Sequence, residues 1–263
     1  MYPVLFRLGR FGVFTYGALV ALGGALSCWL WYSKRERMGL QRQDDFWLLI
    51  NALLLGGFVG GRVLFIVEYV PFHPAELVAA AFTLNKGFSV LGAFAGVIGA
   101  VWLVARSRKV AFLRLLDYIC LVAPLWHAFG RLGCFAAGCC FGRPASLPWA
   151  VRFTDRLSMV DRNLLGVPLH PTQLYEAAGN LGLFLALRGF VLPLLEDRRL
   201  SYGVLSGLYF AAYGVLRFGI EFYRGDAVPG LVGLSAGQGL CLLLLACGLA
   251  LVAWARRQPC IPY

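Results

Sequence analysis

Charge is scarce in this 263-residue sequence: 14% of its residues are Asp, Glu, Lys or Arg. A water-solvated globular surface keeps about a quarter of its residues charged, whereas a surface facing lipid needs none. A soluble domain is therefore excluded as the main reading. Acidic residues are the rarer sign, 13 against 24 basic ones, giving a net charge of +11. The basic residues lack the aromatic-interleaved stripe that nucleic-acid binding uses, so no nucleic-acid partner is expected. The chain also has no internal repeat, no low-complexity tract and no linker, which predicts a single domain over residues 1–263. Cysteine is not scarce, at eight, yet Cys28, Cys120, Cys241 and Cys247 fall inside apolar runs. There a thiol is a small hydrophobe, and a disulfide framework is not expected.

What the sequence has is hydrophobic length. Apolar residues make up 60% and mean hydropathy is +0.72. Stretches long enough to cross about 30 Å of hydrocarbon as helix run over approximately 11–33, 46–70, 88–106, 116–137, 173–195, 202–222 and 235–255. The expectation is an all-α integral membrane protein with about seven transmembrane helices. Arg7 and Arg10 precede the first run as they would in a signal peptide. The run is too long for one and lacks a small-residue cleavage site, so it reads as a retained helix. Lys34, Arg35, Arg37 and Arg42 follow the first run; Arg106, Arg108, Lys109 and Arg114 follow the third; Arg198 and Arg199 follow the fifth; Arg256 and Arg257 follow the last. The alternate connections are poorer, with Lys86 in one and Arg224 in another. Because short cytoplasmic loops retain positive charge, the amino terminus is predicted outside and the carboxyl terminus in the cytoplasm. Segment 138–172, between the fourth and fifth spans, then becomes an extracytoplasmic, periplasmic loop. Its prolines at 144, 148 and 168 predict ordered turns, and Trp149 is placed for the membrane interface.

An arginine at mid-bilayer costs about 2.5–3.5 kcal/mol even on the lenient insertion scale, so Arg62, Arg131, Arg188 and Arg217 each need a reason. Arg188 lies in the cytoplasmic half of its span and can snorkel. Arg217 belongs to a stripe in which Tyr213, Arg217 and Glu221 are four apart and share a helix face, with Arg224 two turns beyond Arg217. His127, Arg131 and Cys134 share another face, and Gly130, Gly133 and Gly138 beside them permit close approach of a backbone or headgroup. Two such arginines on separate helices can clamp one phosphodiester through charge-assisted, bidentate hydrogen bonds. That points to a protein that handles phospholipid. Gly56-Gly57-Phe58-Val59-Gly60-Gly61-Arg62 lacks the Walker lysine and is no phosphate loop; its glycines suit close helix packing, which leaves Arg62 unaccounted for. His170-Pro171-Thr172-Gln173-Leu174-Tyr175-Glu176 sits at the mouth of the fifth span. Pro171 suits a first helical turn, leaving His170 outside it as a partly wet imidazole or a cap, with Tyr175 available as an interface anchor.

These motifs together resemble the prolipoprotein diacylglyceryl transferases over nearly the whole chain. The resemblance is carried, in order, by Tyr16-Gly17, Gly60-Gly61-Arg62, Asp117, Gly130-Arg131-Leu132-Gly133, His170 to Glu176, Arg217 to Arg224 with Glu221, and Gly237-Gln238. It implies transfer of the diacylglyceryl group of phosphatidylglycerol to the lipobox cysteine thiol of a secreted prolipoprotein, releasing glycerol phosphate on the outer side of the bacterial inner membrane. No metal or soluble cofactor is implied. On that pattern Arg131 and Arg217 hold the phosphate and stabilise charge as it leaves. Tyr16, Tyr213 and Glu221 orient these arginines or the donor lipid, and Arg62, Arg224, Gln173 and Tyr175 complete the substrate site.

The departures are as informative. The family's third-span motif is a histidine followed by two glycines, considered a base for the incoming thiol; here the stretch is Ser89-Val90-Leu91-Gly92-Ala93. Where the fourth-span signature continues with asparagine and then a glycine-glutamate pair, this chain has Cys134 and Gly138-Cys139. A replacement base must reach the proton at a suitable pKa, which nominates His170 or His127. Alternatively Cys134, Cys139 or Cys140 acts as nucleophile beside Arg131, or is itself modified. His127 with three thiols has metal-ligand chemistry, but the spacing matches no standard zinc pattern, so no metal is expected; packing or an external disulfide are the plainer roles. Two other functions stay open: a paralogous transferase with a different acceptor, and a lipid-binding, transport or thiol-redox membrane protein.

Overall fold

The computed structural model describes residues 3–8, 11–70, 87–228, 230 and 233–258. Its helices are α1 (Thr15–Ser33), α2 (Gln43–Tyr69), α3 (Val90–Arg108), α4 (Phe112–Ala137), α5 (Thr172–Glu196), α6 (Val204–Glu221) and α7 (Ala236–Ala255). Among the described residues, five of these, α2, α3, α4, α5 and α7, are long and apolar enough to cross a membrane. The protein is thus mostly helical with several membrane-spanning helices.

Two corrections to the expected all-α architecture appear. The first apolar run does not begin as helix: Val4–Leu8 (β1) and Phe11–Phe14 (β2) pair antiparallel, and α1 starts only at Thr15. Phe11, Val13 and Phe14 are β-formers around a glycine, so apolarity alone mistook a hairpin strand for a helical turn. In the segment between α4 and α5, Val151–Arg152 (β3) pairs with Pro168–Leu169 (β4). The expected turns are present there, organised by a small core of Phe141, Phe153, Val160 and Leu169 that Phe135 and Leu164 join. Lys86 and Arg10 lie outside the described residues.

The chain forms two compact units, residues 32–116 and residues 1–31 with 117–263. In the first, α2 and α3 approach closely through glycine: a Cβ on Gly56 would fall 2.8 Å from the Ala100 side chain, and one on Gly60 would fall 2.8 Å from the Gly96 Cα. Backbone contact at this range is how helices associate in lipid, where there is no hydrophobic drive between them. The same unit ties its two basic loops together, since the Arg114 Nε donates to the Arg37 carbonyl (2.8 Å) and Arg108 pairs with Asp45 (3.1 Å). Arg62 is buried and donates to the Gly87 carbonyl at 2.9 Å with its guanidinium over the Phe65 ring. Leu91 stands in the first turn of α3, half exposed.

In the second unit α1 is anchored to α4 by two indoles: Trp31 donates to the Tyr118 carbonyl (2.8 Å) and Trp126 to that of Val20 (3.0 Å). Asp117, fully buried on α4, accepts from the backbone N–H groups of Gly203 (2.7 Å) and Ser206 (2.8 Å) and from the Ser206 hydroxyl. It thereby caps the amino end of α6, meeting donors that the helix itself leaves unpaired. Gly207 and Gly248 seat α6 against α7 backbone to backbone. Near its far end α5 passes through a π-helical stretch, Leu187–Val191, just before Pro193, whose missing N–H interrupts the ladder. Arg188 lies in that stretch with its side chain exposed, as snorkelling requires.

Candidate active site

The site lies where the carboxyl ends of α4 and α6 meet the amino ends of α5 and α7. Its hub is Glu176, one turn into α5, with a side chain 2% exposed. Four side chains from two other helices converge on its carboxylate: Arg131 Nε at 3.1 Å, His127 Nε2 at 3.4 Å, Tyr213 Oη at 3.0 Å and Arg217 Nε at 3.8 Å. The four-residue spacings on α4 and α6 deliver this, since His127 and Arg131, and likewise Tyr213 and Arg217, project from one face one turn apart. A second carboxylate, Glu221, pairs with Arg217 Nη1 at 2.6 Å, accepts from the Ser235 hydroxyl at 2.8 Å and lies 3.9 Å from Arg224. Gly237 at the start of α7 leaves room for it, because a Cβ there would fall 2.5 Å from the Glu221 carboxylate. Ser235 and Gln238 form a reciprocal capping box that fixes this helix end.

Buried charges are tolerated only when paired and hydrogen-bonded. Here Arg131, Arg217 and Arg224 are set against Glu176, Glu221 and Asp226, the last holding Arg224 at 2.7 and 2.9 Å. Arg131 spends its Nε on both His127 (3.3 Å) and Glu176, leaving its two terminal nitrogens without a hydrogen-bond partner among the described residues. A guanidinium held by its stem with its fork free is preorganised for a bidentate anion.

The three cysteines follow at once. Cys134 occupies the last turn of α4, Gly138 (φ +80°) ends the helix, and Cys140 takes the left-handed backbone conformation at φ +58°. The turn is held from α5, where Gln173 Nε2 donates to the Cys139 carbonyl (2.8 Å) and the Thr172 hydroxyl to that of Cys140 (2.9 Å). The three sulfurs come within 4.8 Å of one another. Cys139 Sγ lies 3.9 Å from the Cys134 carbonyl, to which it donates, and Cys140 is held below the ordinary thiol range first by its neighbouring thiols Cys134 and Cys139 and then by the Arg131 and Arg224 guanidiniums. All three cysteines line a cavity of about 1090 Å³ whose wall includes Arg7, Tyr16, Gly17, Leu157 and Met159. Tyr16 rests on Gly133, where a Cβ would fall 2.9 Å from its ring.

His170 stands just outside α5 with Nδ1 3.3 Å from the Tyr175 hydroxyl, which also accepts from the Trp149 indole at 2.8 Å. The Tyr223 ring lies 5.0 Å from the imidazole. Of the residues singled out in the sequence, His127, Arg131, Tyr213, Arg217, Glu221 and Arg224 form one continuous network. Cys134, Cys139 and Tyr16 form the adjoining cavity, while Gln173 is buried as a clamp on the cysteine turn. Arg62 belongs to the other compact unit. The sequence reading missed the hub, Glu176. The signal was available, because a glutamate within a spanning helix is as much in need of a reason as an arginine.

A family model described as prolipoprotein diacylglyceryl transferase matches residues 3–254. Phosphatidylglycerol–prolipoprotein diacylglyceryl transferases of known sequence align along almost their full length. That of Bordetella avium is 36% identical over 270 residues, covering 97% of this chain and 96% of the relative. The Methylibium petroleiphilum protein is 35% identical over 267 residues, with 97% of each covered. The Clostridium tetani protein is 32% identical over 251 residues, covering 95% and 96%.

Proposed function

The chain belongs to the prolipoprotein diacylglyceryl transferase family, and from that premise we propose that it transfers the diacylglyceryl group of phosphatidylglycerol to the cysteine thiol of a prolipoprotein through a phosphate site built on Glu176. The observation that carries this is the convergence of Arg131 and Arg217 on one buried carboxylate with the Arg131 fork left open. Glu176 fixes the Arg131 stem, and Glu176 and Glu221 together hold Arg217 through its Nε and Nη1; the open Arg131 fork and the second terminal nitrogen of Arg217 grip the phosphodiester. As the acceptor thiolate forms its bond to the glyceryl carbon, the carbon–oxygen bond to phosphate breaks and the electron pair stays on glycerol phosphate. Its new charge meets donors that need no reorganisation. Tyr213 holds Glu176 in place, and Tyr16 lies at the cavity through which the acceptor reaches the donor.

Orientation follows from charge. In the unit carrying the site, Arg198, Arg199, Arg256 and Arg257 lie at the ends of α5 and α7 remote from Glu176, and the Ser201 hydroxyl donates to the Gln258 carbonyl there. With that end cytoplasmic, the site and the segment 138–172 face the outer side of the inner membrane, the amino terminus lies outside, and α1 and α6 complete seven spans. Phosphatidylglycerol and a secreted prolipoprotein are the substrates, and the catalytic work belongs to one transmembrane domain. A dual-label assay tests this. With phosphatidylglycerol labelled in the glyceryl and phosphate moieties, the glyceryl label passes to a lipobox peptide and the phosphate label appears as soluble glycerol phosphate. A serine peptide accepts nothing. Both labels on the peptide, or equal labelling of the serine peptide, would contradict the proposal.

A further inference from the structure

The cavity beside the phosphate site poses a chemical problem. Its lining residues include no histidine, aspartate or glutamate, so among the described residues of its wall no ordinary base stands ready for the acceptor thiol. His127 is engaged by Arg131 and Glu176, and His170 by Tyr175. Leu91, where a histidine was expected, has no proton-accepting atom. What the wall does carry is three sulfurs within 4.8 Å of one another, all free thiols and all bordering the open space.

Zinc binds thiolate at about 2.3 Å, so two sulfurs on a tetrahedral zinc stand about 3.8 Å apart. A cluster no wider than 4.8 Å closes onto such an ion by side-chain rotation. The backbone already aims the side chains: the left-handed turn at Cys140 and the Gln173 and Thr172 hydrogen bonds hold Cys139 and Cys140 beneath the end of α4. Three thiolates around Zn²⁺ leave one net negative charge. Arg131 lies one helical turn before Cys134, and the Arg224 backbone pairs with Gly142 two residues beyond Cys140, so cations flank the site.

We propose that Cys134, Cys139 and Cys140 form a trithiolate zinc site whose fourth position, open to the cavity, binds the acceptor cysteine and activates it. Three protein ligands with one open position is the arrangement of a catalytic rather than a structural zinc, and soft thiolates select zinc over the hard divalent cations. A thiol that coordinates the ion loses its proton outright, here to cavity water. The bound thiolate then attacks the glyceryl carbon, forming the carbon–sulfur bond as the carbon–oxygen bond to phosphate breaks. Zinc stays divalent and no electron carrier is needed. The product thioether is a poor ligand and leaves. This inference rests on the transferase reading above; it supplies the activation of the acceptor thiol that a base would otherwise provide.

Cobalt substitution of the purified full-length protein tests it. One Co²⁺ per chain is expected, with sulfur-to-cobalt charge-transfer and tetrahedral d–d absorption that a cysteine lipobox peptide shifts and a serine peptide does not. Cys139→Ser and Cys140→Ser variants should lose the signal while keeping the thermal unfolding profile of the wild type. Because a variant can fail to fold, wild-type protein stripped by a chelator is the second arm. Its transfer rate should fall at least tenfold and return with Zn²⁺, and the native metal content should be zinc. Full-rate transfer by metal-free protein, or a cobalt signal that survives in the cysteine variants, overturns the zinc site and leaves the transferase reading standing. A peptide-shifted cobalt spectrum without label transfer in any metal state supports the site and overturns the transferase reading instead. Copper in place of zinc in the native protein overturns the assignment of the metal.

Discussion

Glu176 determines what each charged side chain around it can do. With its carboxylate 3.1 Å from Arg131 and 3.8 Å from Arg217, it holds both guanidiniums at Nε and leaves the Arg131 fork open, while Arg217 also gives Nη1 to Glu221 at 2.6 Å. Glu176→Gln keeps the volume but strands two buried cations. Removing one partner of a buried pair costs about 3–5 kcal/mol, so thermal unfolding in detergent should show a markedly less stable protein, and transfer should be lost. Arg131→Lys replaces a fork by a point charge. It should fold normally and transfer at roughly a tenth of the wild-type rate, a loss of about 1.4 kcal/mol in transition-state binding; wild-type kinetics would mean that the fork is unused. Arg131, Arg217 and Glu221 were legible in the sequence because charge within an apolar run is conspicuous and helical spacing says which charges share a face. Glu176 was passed over because its own helix offers no partner at that spacing; its partners come from α4 and α6, which only the fold brings together. The three cysteines beside Arg131 were legible as candidate nucleophiles, but their spacing matched no standard zinc pattern, for a related reason. Cys134 is separated from Cys139 and Cys140 by a helix end, and the reversal at Gly138, not sequence spacing, brings the sulfurs together.

At the scale of elements, two devices hold the helices in register. The α2–α3 seam is glycine against glycine, so Gly96→Val should overpack it and cost about 1–3 kcal/mol, visible as lower thermal stability with little change in the chemistry of surviving protein. The cap on α6 is a carboxylate from another helix, and Asp117→Ala strips three donors of their acceptor at a buried helix start. About 1–2 kcal/mol of stability should be lost, and Asp117→Asn should recover part of it; an unchanged melting temperature for Asp117→Ala would show that the cap is dispensable. Apolar run length located seven helices among the described residues, five of them long and apolar enough to cross hydrocarbon. It could not locate β1 and β2, since a short apolar strand and the first turns of an apolar helix read alike.

For the whole molecule, Arg114 packs on the Arg37 carbonyl in one unit and Ser201 on Gln258 in the other, each gathering basic residues at one end, and the proposed orientation puts such basic ends in the cytoplasm. Above the label taken up by the native thiols, a membrane-impermeant thiol reagent should therefore add label to Ser158→Cys in intact spheroplasts and to Ser201→Cys only after permeabilisation; the reverse order would invert the topology. Transfer kinetics in phosphatidylglycerol liposomes isolate the arginines that Glu176 organises. Arg131→Ala and Arg217→Ala should each lower kcat by about 10²–10³-fold, as loss of a preorganised donor does, in protein whose assembly into the membrane is intact. Transfer within twofold of the wild type by either well-folded variant would mean that the two arginines do not hold the phosphate.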